Sequence, residues 1–249
     1  MNGELTFAPL DNPLKILDLG AGSGACANIY PHAEVIAADI VPLPERPFPP
    51  NVKYQHCDVL VTLPFVDSSF DVVHMRLLMY HLPPAEIPSV IQRISRILKP
   101  QGWLIIEDFG RHIIGHTGSP VQEKIEAIYT GMLQRKGLDT KVGESLGAFL
   151  QDADAFSEIN VKKAEMILTT DPEFLARISP GERALANAVR STSIKVVETL
   201  MNISEDMRSA GVTPDIKKAW LEERQEPKLK TTTDIWFTWA QKRQTSIVL

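Results

Sequence analysis

The sequence predicts an α/β fold in which a mostly parallel sheet is flanked by helices. Short apolar runs alternate with segments of helical periodicity, and this order is the one that builds a parallel sheet. The runs are apolar along most of their length, as strands covered on both faces should be. The predicted strands are Lys15 to Leu19, Glu34 to Asp39, Asn51 to Cys57, Phe70 to Met75, Gly102 to Glu107, Val161 to Leu168 and Thr233 to Trp239.

The clearest βαβ unit joins the fourth and fifth predicted strands. Isoleucine, valine and leucine recur at helical spacing from Ile87 to Leu98. Pro100 and Gly102 follow, and these residue types end a helix because proline lacks a backbone donor and glycine tolerates the turn. The sequence therefore predicts one helix that crosses between two parallel strands.

The chain between the last two predicted strands is mainly helical. Ser179 and Glu182 have the spacing of a capping box, and Gly211 ends the apolar stripe that follows. We therefore predict one domain over residues 1–249, with a helical insert over about residues 171–226. The insert is interpreted as a lid or a substrate wall. The alternative is an ordinary packing element or a dimer surface.

Composition and charge narrow the classes of partner. With 26 Lys and Arg against 31 Asp and Glu, the formal net charge is -5, so no global positive field attracts nucleic acid. No run of about 18 apolar residues is present, which disfavours a membrane span. Two cysteines, Cys26 and Cys57, are too few for a disulfide framework. We expect a cytoplasmic protein, or a nuclear one if its role is regulatory, and a homodimer stays an open alternative.

A glycine-rich turn follows the first predicted strand in the run DLGAGSG, from Asp18 to Gly24. Glycine lets the backbone turn sharply and lets a ligand approach main-chain N–H groups without a Cβ in the way. Asp39 ends the second strand 21 residues after Asp18, and Asp58 follows the third strand. Because ligands bind at the carboxyl ends of strands in open α/β sheets, this ordered set predicts a site in which Asp39 accepts from ribose hydroxyls.

Five segments follow one another in a recognisable order: ILDLGAGSG, EVIAADI, the CDV at Cys57 to Val59, SFDVVHMRLLMYHL and RILKPQGWLIIEDF. In order and spacing they resemble the motifs of class I S-adenosylmethionine-dependent methyltransferases. The lead-in at Gly3 to Leu10 and the HMR at His74 to Arg76 are most similar to fungal small-molecule methyltransferases and related regulators of secondary metabolism. The resemblance implies a Rossmann-like sheet of seven strands, with the final IWFTWAQK as an antiparallel seventh strand.

The resemblance also implies S-adenosyl-L-methionine as the cofactor, with S-adenosyl-L-homocysteine as its product. It places the glycine turn at the methionine portion, Asp39 on the ribose, and the residues after the second and third strands around the adenine. The HMR segment would lie beside the methionine carboxylate and the sulfonium, although core packing is an equal alternative for its methionine. The implied cofactor-binding residues are Asp18, Gly20, Ala21, Gly22, Gly24, Asp39, Ile40, Asp58, Val59, His74, Met75 and Arg76.

A methyltransferase of this kind must hold its acceptor in line behind the methyl group and, for a hydroxyl acceptor, remove a proton. His81 is the first predicted base, because its position after the fourth strand resembles one that faces the methyl group. His112 and His116, in the loop after the fifth strand, are alternatives, and each histidine is weighed against an ordinary packed or solvated one. Glu107 and Asp108 are adjacent and should point apart, and either line the acceptor pocket or merely end a strand. We find no His, Asp and Glu cluster with metal-ligand spacing, so no metal is expected.

Three functions are compatible with these motifs. The first is methyl transfer to a hydroxyl or carboxyl group of a small secondary metabolite, and the second is a cofactor-binding regulator that works through protein partners. The third is a nicotinamide-dependent oxidoreductase. It is disfavoured because no tyrosine is followed by lysine four positions later, and because the turn runs Gly-x-Gly-x-Gly rather than Gly-x-Gly-x-x-Gly.

Overall fold

A seven-stranded sheet is the central feature of the protein. The computed structural model describes residues 6–22, 30–42, 47–110, 117–169, 171–203, 205–226 and 229–244. The strands are β1 Lys15–Leu19, β2 Glu34–Asp39, β3 Val52–His56, β4 Phe70–Arg76, β5 Leu98–Phe109, β6 Phe156–Thr169 and β7 Lys230–Lys242. Across the sheet they lie in the order β3-β2-β1-β4-β5-β7-β6.

Helices connect these strands and form most of the region between β6 and β7. They are α1 Ile87–Ile97, α2 Pro120–Arg135, α3 Val142–Asp152, α4 Pro172–Leu175, α5 Pro180–Ile203, α6 Glu205–Ser209 and α7 Pro214–Glu223. None of the helices in the described ranges combines the length and the apolar character that crossing a bilayer requires.

The strand directions confirm the predicted fold class. β1 pairs in parallel with β2 and β4, β2 with β3, and β4 with β5. β7 runs the other way: Lys242 Nζ donates to the Leu98 carbonyl oxygen at 2.7 Å, while Gly110 N, past the other end of β5, donates to the Asp234 carbonyl oxygen at 3.1 Å. The protein thus has a mostly parallel, Rossmann-like sheet with an antiparallel last strand.

The start of β5 differs from the prediction. The strand begins at Leu98 rather than at Gly102, directly after α1 ends at Ile97. Gln101 has a φ of +63°, so the chain turns within the strand itself. A Cβ on Gly102 would lie 2.9 Å from the Lys99 carbonyl oxygen, which explains why glycine is needed there. Tertiary pairing has extended the strand into residues whose types favour a turn.

The core forms because side chains alternate between the two faces of each strand. On one face, Ala8, Ile16, Ala33, Val35, Val72, Trp103 and Ile105 form a buried cluster. The N-terminal segment also covers an aromatic patch of β7, where the Phe7 ring stacks on Trp239 with centroids 5.5 Å apart. The apolar stripe predicted for α1 is confirmed, since Ile87, Val90, Ile91, Ile94 and Ile97 are all fully buried.

The chain forms two compact units. Unit 1 comprises residues 1–108, 141–163 and 236–249, and unit 2 comprises residues 109–140 and 164–235. Unit 2 contains the predicted insert, whose α5 begins at the predicted capping box: Ser179 N donates to the Glu182 carboxylate at 2.8 Å, and Glu182 N donates to Ser179 Oγ at 3.2 Å. The role of the insert as a lid or substrate wall stays a prediction.

Unit 2 encloses a group of polar side chains that we call the Arg224 network: Gln122, Trp220, Arg224 and Thr231. Gln122 Oε1 accepts hydrogen bonds from Trp220 Nε1 at 2.6 Å and from the Arg224 guanidinium, which also donates to Thr231 Oγ1. The guanidinium lies 4.7 Å from the Trp220 ring centroid. Arg224 is only 4% exposed. Desolvation outweighs the nearby charges and lowers the pKa of Arg224 to about 10.

Candidate functional site

The glycine-rich turn after β1 is held against the end of β2. Gly20 N and Ala21 N both donate to the Ala38 carbonyl oxygen, at 2.8 and 3.1 Å. Gly20 has a φ of +75°, and a Cβ there would lie 3.1 Å from the Leu78 side chain. Glycine is therefore required at this position both for its backbone conformation and for the space it leaves.

The Asp39 carboxylate joins the glycine turn to the end of β2. Its Oδ2 accepts from Gly22 N at 2.8 Å, and its Oδ1 accepts from Val41 N at 3.0 Å. A carboxylate oxygen has two lone pairs, so each oxygen keeps acceptor capacity for a further hydroxyl. The acid predicted to bind ribose thus lies beside the turn predicted to approach the methionine portion.

The residues predicted to surround the adenine follow β2 and β3, which are neighbours in the sheet. Ile40 is 59% exposed. Asp58 Oδ1 accepts from Leu60 N at 2.9 Å, and the carbonyl oxygen of the buried Val59 accepts from the Arg93 guanidinium of α1 at 2.9 Å. The loop after β3 is therefore fixed to α1, and the adenine contacts themselves stay a prediction.

Asp18, His74 and Glu107 form a row across β1, β4 and β5 that we call the strand-end triad. His74 Nδ1 lies 2.9 Å from Asp18 Oδ1, and His74 Nε2 lies 3.7 Å from Glu107 Oε1. The side chains of His74, Asp18 and Glu107 are 13%, 5% and 14% exposed. Three ionisable side chains are thus gathered at the carboxyl ends of neighbouring strands.

The sequence identified these three residues separately but did not predict that they meet. His74 is 56 residues after Asp18, and only the pairing of β4 with β1 sets the two directly opposite each other. Glu107 is two residues beyond Ile105, the register partner of His74, so all three side chains share one face. The available signal was the strand order together with the alternation of side chains.

Other residues at the ends of β4 and β5 have different surroundings. Met75 is completely buried, as the packing alternative expects, and Arg76 is exposed. Asp108 is fully buried and accepts from Tyr80 N at 3.2 Å, whereas its neighbour Glu107 faces His74. The adjacent acids therefore contact different partners, as expected on an extended strand. The cofactor roles of Met75 and Arg76 stay predictions.

The candidate bases can be described only in part. His81 lies in a single 3₁₀ turn, Met79–His81, shortly after β4, and it is exposed. Desolvation by the surrounding protein nevertheless lowers the pKa of His81. His112 and His116, and Gly24 of the glycine turn, lie outside the described residues. All three assignments of a base stay predictions.

The described part of the site contains neither a cluster of metal ligands nor a reactive cysteine. Within the described ranges, no group of three or more His, Cys, Asp or Glu side chains is arranged to hold a metal ion. The buried thiol of Cys57 lies next to Asp58, and desolvation, with a smaller contribution from that carboxylate, raises its pKa to about 11. The thiol is therefore protonated at neutral pH and unreactive as a nucleophile.

Comparison with known proteins covers most of the candidate site. The family described as a methyltransferase domain matches residues 17–106, which span β1 to most of β5. Methyltransferase str2 of Strobilurus tenacellus is 34% identical over 230 residues, which cover 90% of this chain and 80% of that protein. The secondary metabolism regulator laeA of Coprinopsis cinerea is 35% identical over 104 residues, which cover 40% of this chain and 25% of that protein.

A solved structure with the same fold contains a product of the implied cofactor. Phosphoethanolamine N-methyltransferase 2 of Haemonchus contortus, in complex with phosphomonomethylethanolamine and S-adenosylhomocysteine, has a TM-score of 0.52 and 18% identity to this chain. The similarity covers 96% of this chain and 51% of that chain. At this identity the comparison shows the fold alone.

Proposed function

Because the chain belongs to the S-adenosylmethionine-dependent methyltransferases, we propose that it transfers a methyl group from S-adenosyl-L-methionine to a small-molecule acceptor. The acceptor group is a hydroxyl or carboxyl oxygen of a secondary metabolite. The similarity to str2, a fungal methyltransferase, extends over 90% of this chain and supports the enzymatic reading. The shorter similarity to laeA, a regulator of secondary metabolism, supports that metabolic setting.

One observation carries the cofactor assignment: the Asp39 carboxylate lies between the glycine turn and the end of β2, bonded to Gly22 N and Val41 N. These backbone donors fix the carboxylate, and its remaining lone pairs can accept from the two ribose hydroxyls. The Cβ-free backbone of Gly20 and Gly22 lets the methionine portion approach closely. The exposed Arg76 supplies a positive charge for the methionine carboxylate.

Methyl transfer requires little of the protein beyond correct placement of the two reactants. When bound, the cofactor supplies a methyl group that its sulfonium has already activated. The chain must orient the acceptor oxygen in line with that methyl group, exclude water and take up the proton of a hydroxyl acceptor. The side chains of Asp18, His74 and Glu107, at the ends of β1, β4 and β5, are the candidates to receive such a proton.

Calorimetry on the purified full chain tests the cofactor assignment. We expect both S-adenosylmethionine and S-adenosylhomocysteine to bind, with dissociation constants below about a millimolar. Competition of one ligand by the other would show that they share a site. Absence of heat from both ligands near that concentration would contradict the proposed function.

The second candidate function is a cofactor-binding regulator that acts through protein partners, and the similarity to laeA favours it. Incubation of the protein with a cell extract and methyl-labelled S-adenosylmethionine separates the two. A labelled small molecule in the mass spectrum supports the enzyme. Label confined to protein, or bound cofactor without any labelled product, supports the regulator.

A further inference from the structure

The strand-end triad has the hydrogen-bond geometry of a histidine oriented by a carboxylate. A carboxylate can only accept a hydrogen bond, so in the contact of 2.9 Å between Asp18 Oδ1 and His74 Nδ1 the imidazole nitrogen is the donor. This contact fixes the ring and directs Nε2 away from Asp18. Nε2 therefore faces Glu107 Oε1 at 3.7 Å, with a lone pair or with a second proton.

The charges around His74 favour its uptake of a proton. Asp18 faces it from β1 and Glu107 from β5, both with side chains less than a sixth exposed, so little water screens their attraction for an imidazolium. Arg76 lies two residues further along the same face of β4, is the register partner of Glu107, and is exposed. The Asp18 and Glu107 carboxylates are thus shielded from water, whereas the Arg76 guanidinium is solvated, so the carboxylates should have the larger effect on the charge of His74.

We propose that His74, oriented by Asp18 and paired with Glu107, receives the proton that the methyl acceptor loses. This inference rests on the proposed function and deepens it, because it restricts the acceptor to a group that carries an acidic proton. His74 then performs the role that the sequence assigned first to His81. His81 has no described ion pair with a carboxylate, and desolvation lowers its pKa, so it holds a proton less readily.

The step is balanced in atoms and charge. The acceptor oxygen forms a bond to the methyl carbon, and the bond between that carbon and sulfur breaks, with its electron pair passing to sulfur as a neutral thioether. The proton of the acceptor O–H moves to His74 Nε2. The imidazolium that results lies between the Asp18 and Glu107 carboxylates, and it later releases the proton to solvent.

This role requires His74 to be neutral when the reaction begins. In the free protein the two carboxylates stabilise the imidazolium, whereas a bound sulfonium repels it. S-adenosylmethionine should therefore displace a proton from His74 on binding, and S-adenosylhomocysteine, which lacks the sulfonium charge, should displace less. The difference between the two ligands is a measurable signature that does not require the acceptor to be known.

The experiment measures protons released on binding, by calorimetry of the full chain near neutral pH in buffers with different heats of ionisation. The readout is the proton count for S-adenosylmethionine minus that for S-adenosylhomocysteine. In the wild type we expect this difference to exceed that of His74→Asn by a fraction of a proton, up to about one. Asparagine can still donate to Asp18 but cannot take up a proton.

Two further variants keep the test decisive. Glu107→Gln retains the imidazole but removes one stabilising carboxylate, so it should reduce the difference even if His74→Asn does not fold. His32→Asn, an exposed histidine in the turn before β2, should match the wild type. A difference that is the same in all four proteins overturns the role of His74. Failure of both ligands to bind the wild type instead removes the proposed function, and this inference with it.

Discussion

The two units of the chain each contain a cluster of charged and polar side chains, and the clusters are built differently. In unit 1, carboxylates at the strand ends accept hydrogen bonds from backbone N–H groups or from one imidazole, and Asp39 keeps acceptor capacity. In unit 2, the Arg224 network buries a cation among neutral acceptors, and Arg224 Nε has no partner among the described residues. The first arrangement suits binding of a ligand, and the second ties distant segments together.

Burial of a charge is therefore not by itself a sign of a functional site. The Arg224 guanidinium is bonded to Gln122 of α2 and to Thr231 of β7, and it lies over the Trp220 ring of α7. The Glu223 carboxylate only partly offsets the desolvation of this cation, so each of its neutral contacts matters for stability. Substitutions in the Arg224 network should therefore lower stability, whereas substitutions at the strand ends of unit 1 should lower cofactor affinity.

The largest effect is expected from Gln122→Leu. The substitution leaves Trp220 Nε1 and part of the Arg224 guanidinium buried without acceptors, so the free energy of unfolding should fall by about 4 kcal/mol. Urea denaturation measures it, with Gln134→Leu at an exposed position of the same helix as the control. Equal midpoints for the two variants would contradict the structural role of the network.

Asp39→Ala, in contrast to Gln122→Leu, should lower cofactor affinity strongly and stability only slightly. Loss of the carboxylate removes the acceptor proposed for the ribose hydroxyls and the hydrogen bond to Gly22 N, so affinity for S-adenosylmethionine should fall by about a hundredfold. Stability should change little, because the freed N–H groups are exposed to water. Calorimetry provides the affinity, and Asp11→Ala, at an exposed acid before β1, is the control. A large loss of stability without loss of affinity would mean that Asp39 stabilises the fold rather than binding the cofactor.

Gly20→Ala tests how much of the site depends on a conformation that only glycine adopts readily. Gly20 and Gly137 have φ values of +75° and +74°, but only Gly20 has a side chain, Leu78, within 4 Å of the position of a new Cβ. We expect the free energy of unfolding to fall by about 2 kcal/mol for Gly20→Ala and about 1 kcal/mol for Gly137→Ala. Denaturation curves give the loss of unfolding free energy for each variant, and the difference between the two losses is the cost of crowding against Leu78. Equal losses would show that the Leu78 side chain moves aside at no cost.

The smallest effect is expected from His81→Asn. Desolvation lowers the pKa of His81 in the folded protein below the ordinary value of 6.5, so the unfolded chain binds more protons as the pH falls through that range. His81 therefore lowers stability on the acid side, and the variant should lose less stability than the wild type between about pH 7.5 and about pH 5.5. Because the ring is partly solvated, the difference should be below about 0.5 kcal/mol in denaturation curves. A steeper loss in the variant would mean that His81 gains a partner when it is charged.

Short-range patterns were enough to predict the fold class, the glycine turn and the position of Asp39 at the end of β2. Strand-length apolar runs, a glycine at the end of a strand and an acid at the end of the next are all readable within about 20 residues. The capping box of α5 was readable for the same reason, since its two partners are three residues apart.

Which of these residues meet in space depends on how the whole chain folds. Asp18 and His74 meet because β4 returns to lie beside β1, on the side opposite β2, and Gln122 meets Arg224 across 102 residues of chain. Neither contact follows from local propensity, since strand order is set by how the connecting helices pack on the sheet. The sequence therefore supplied the chemical groups, and the order of the strands set a base next to the carboxylate that orients it.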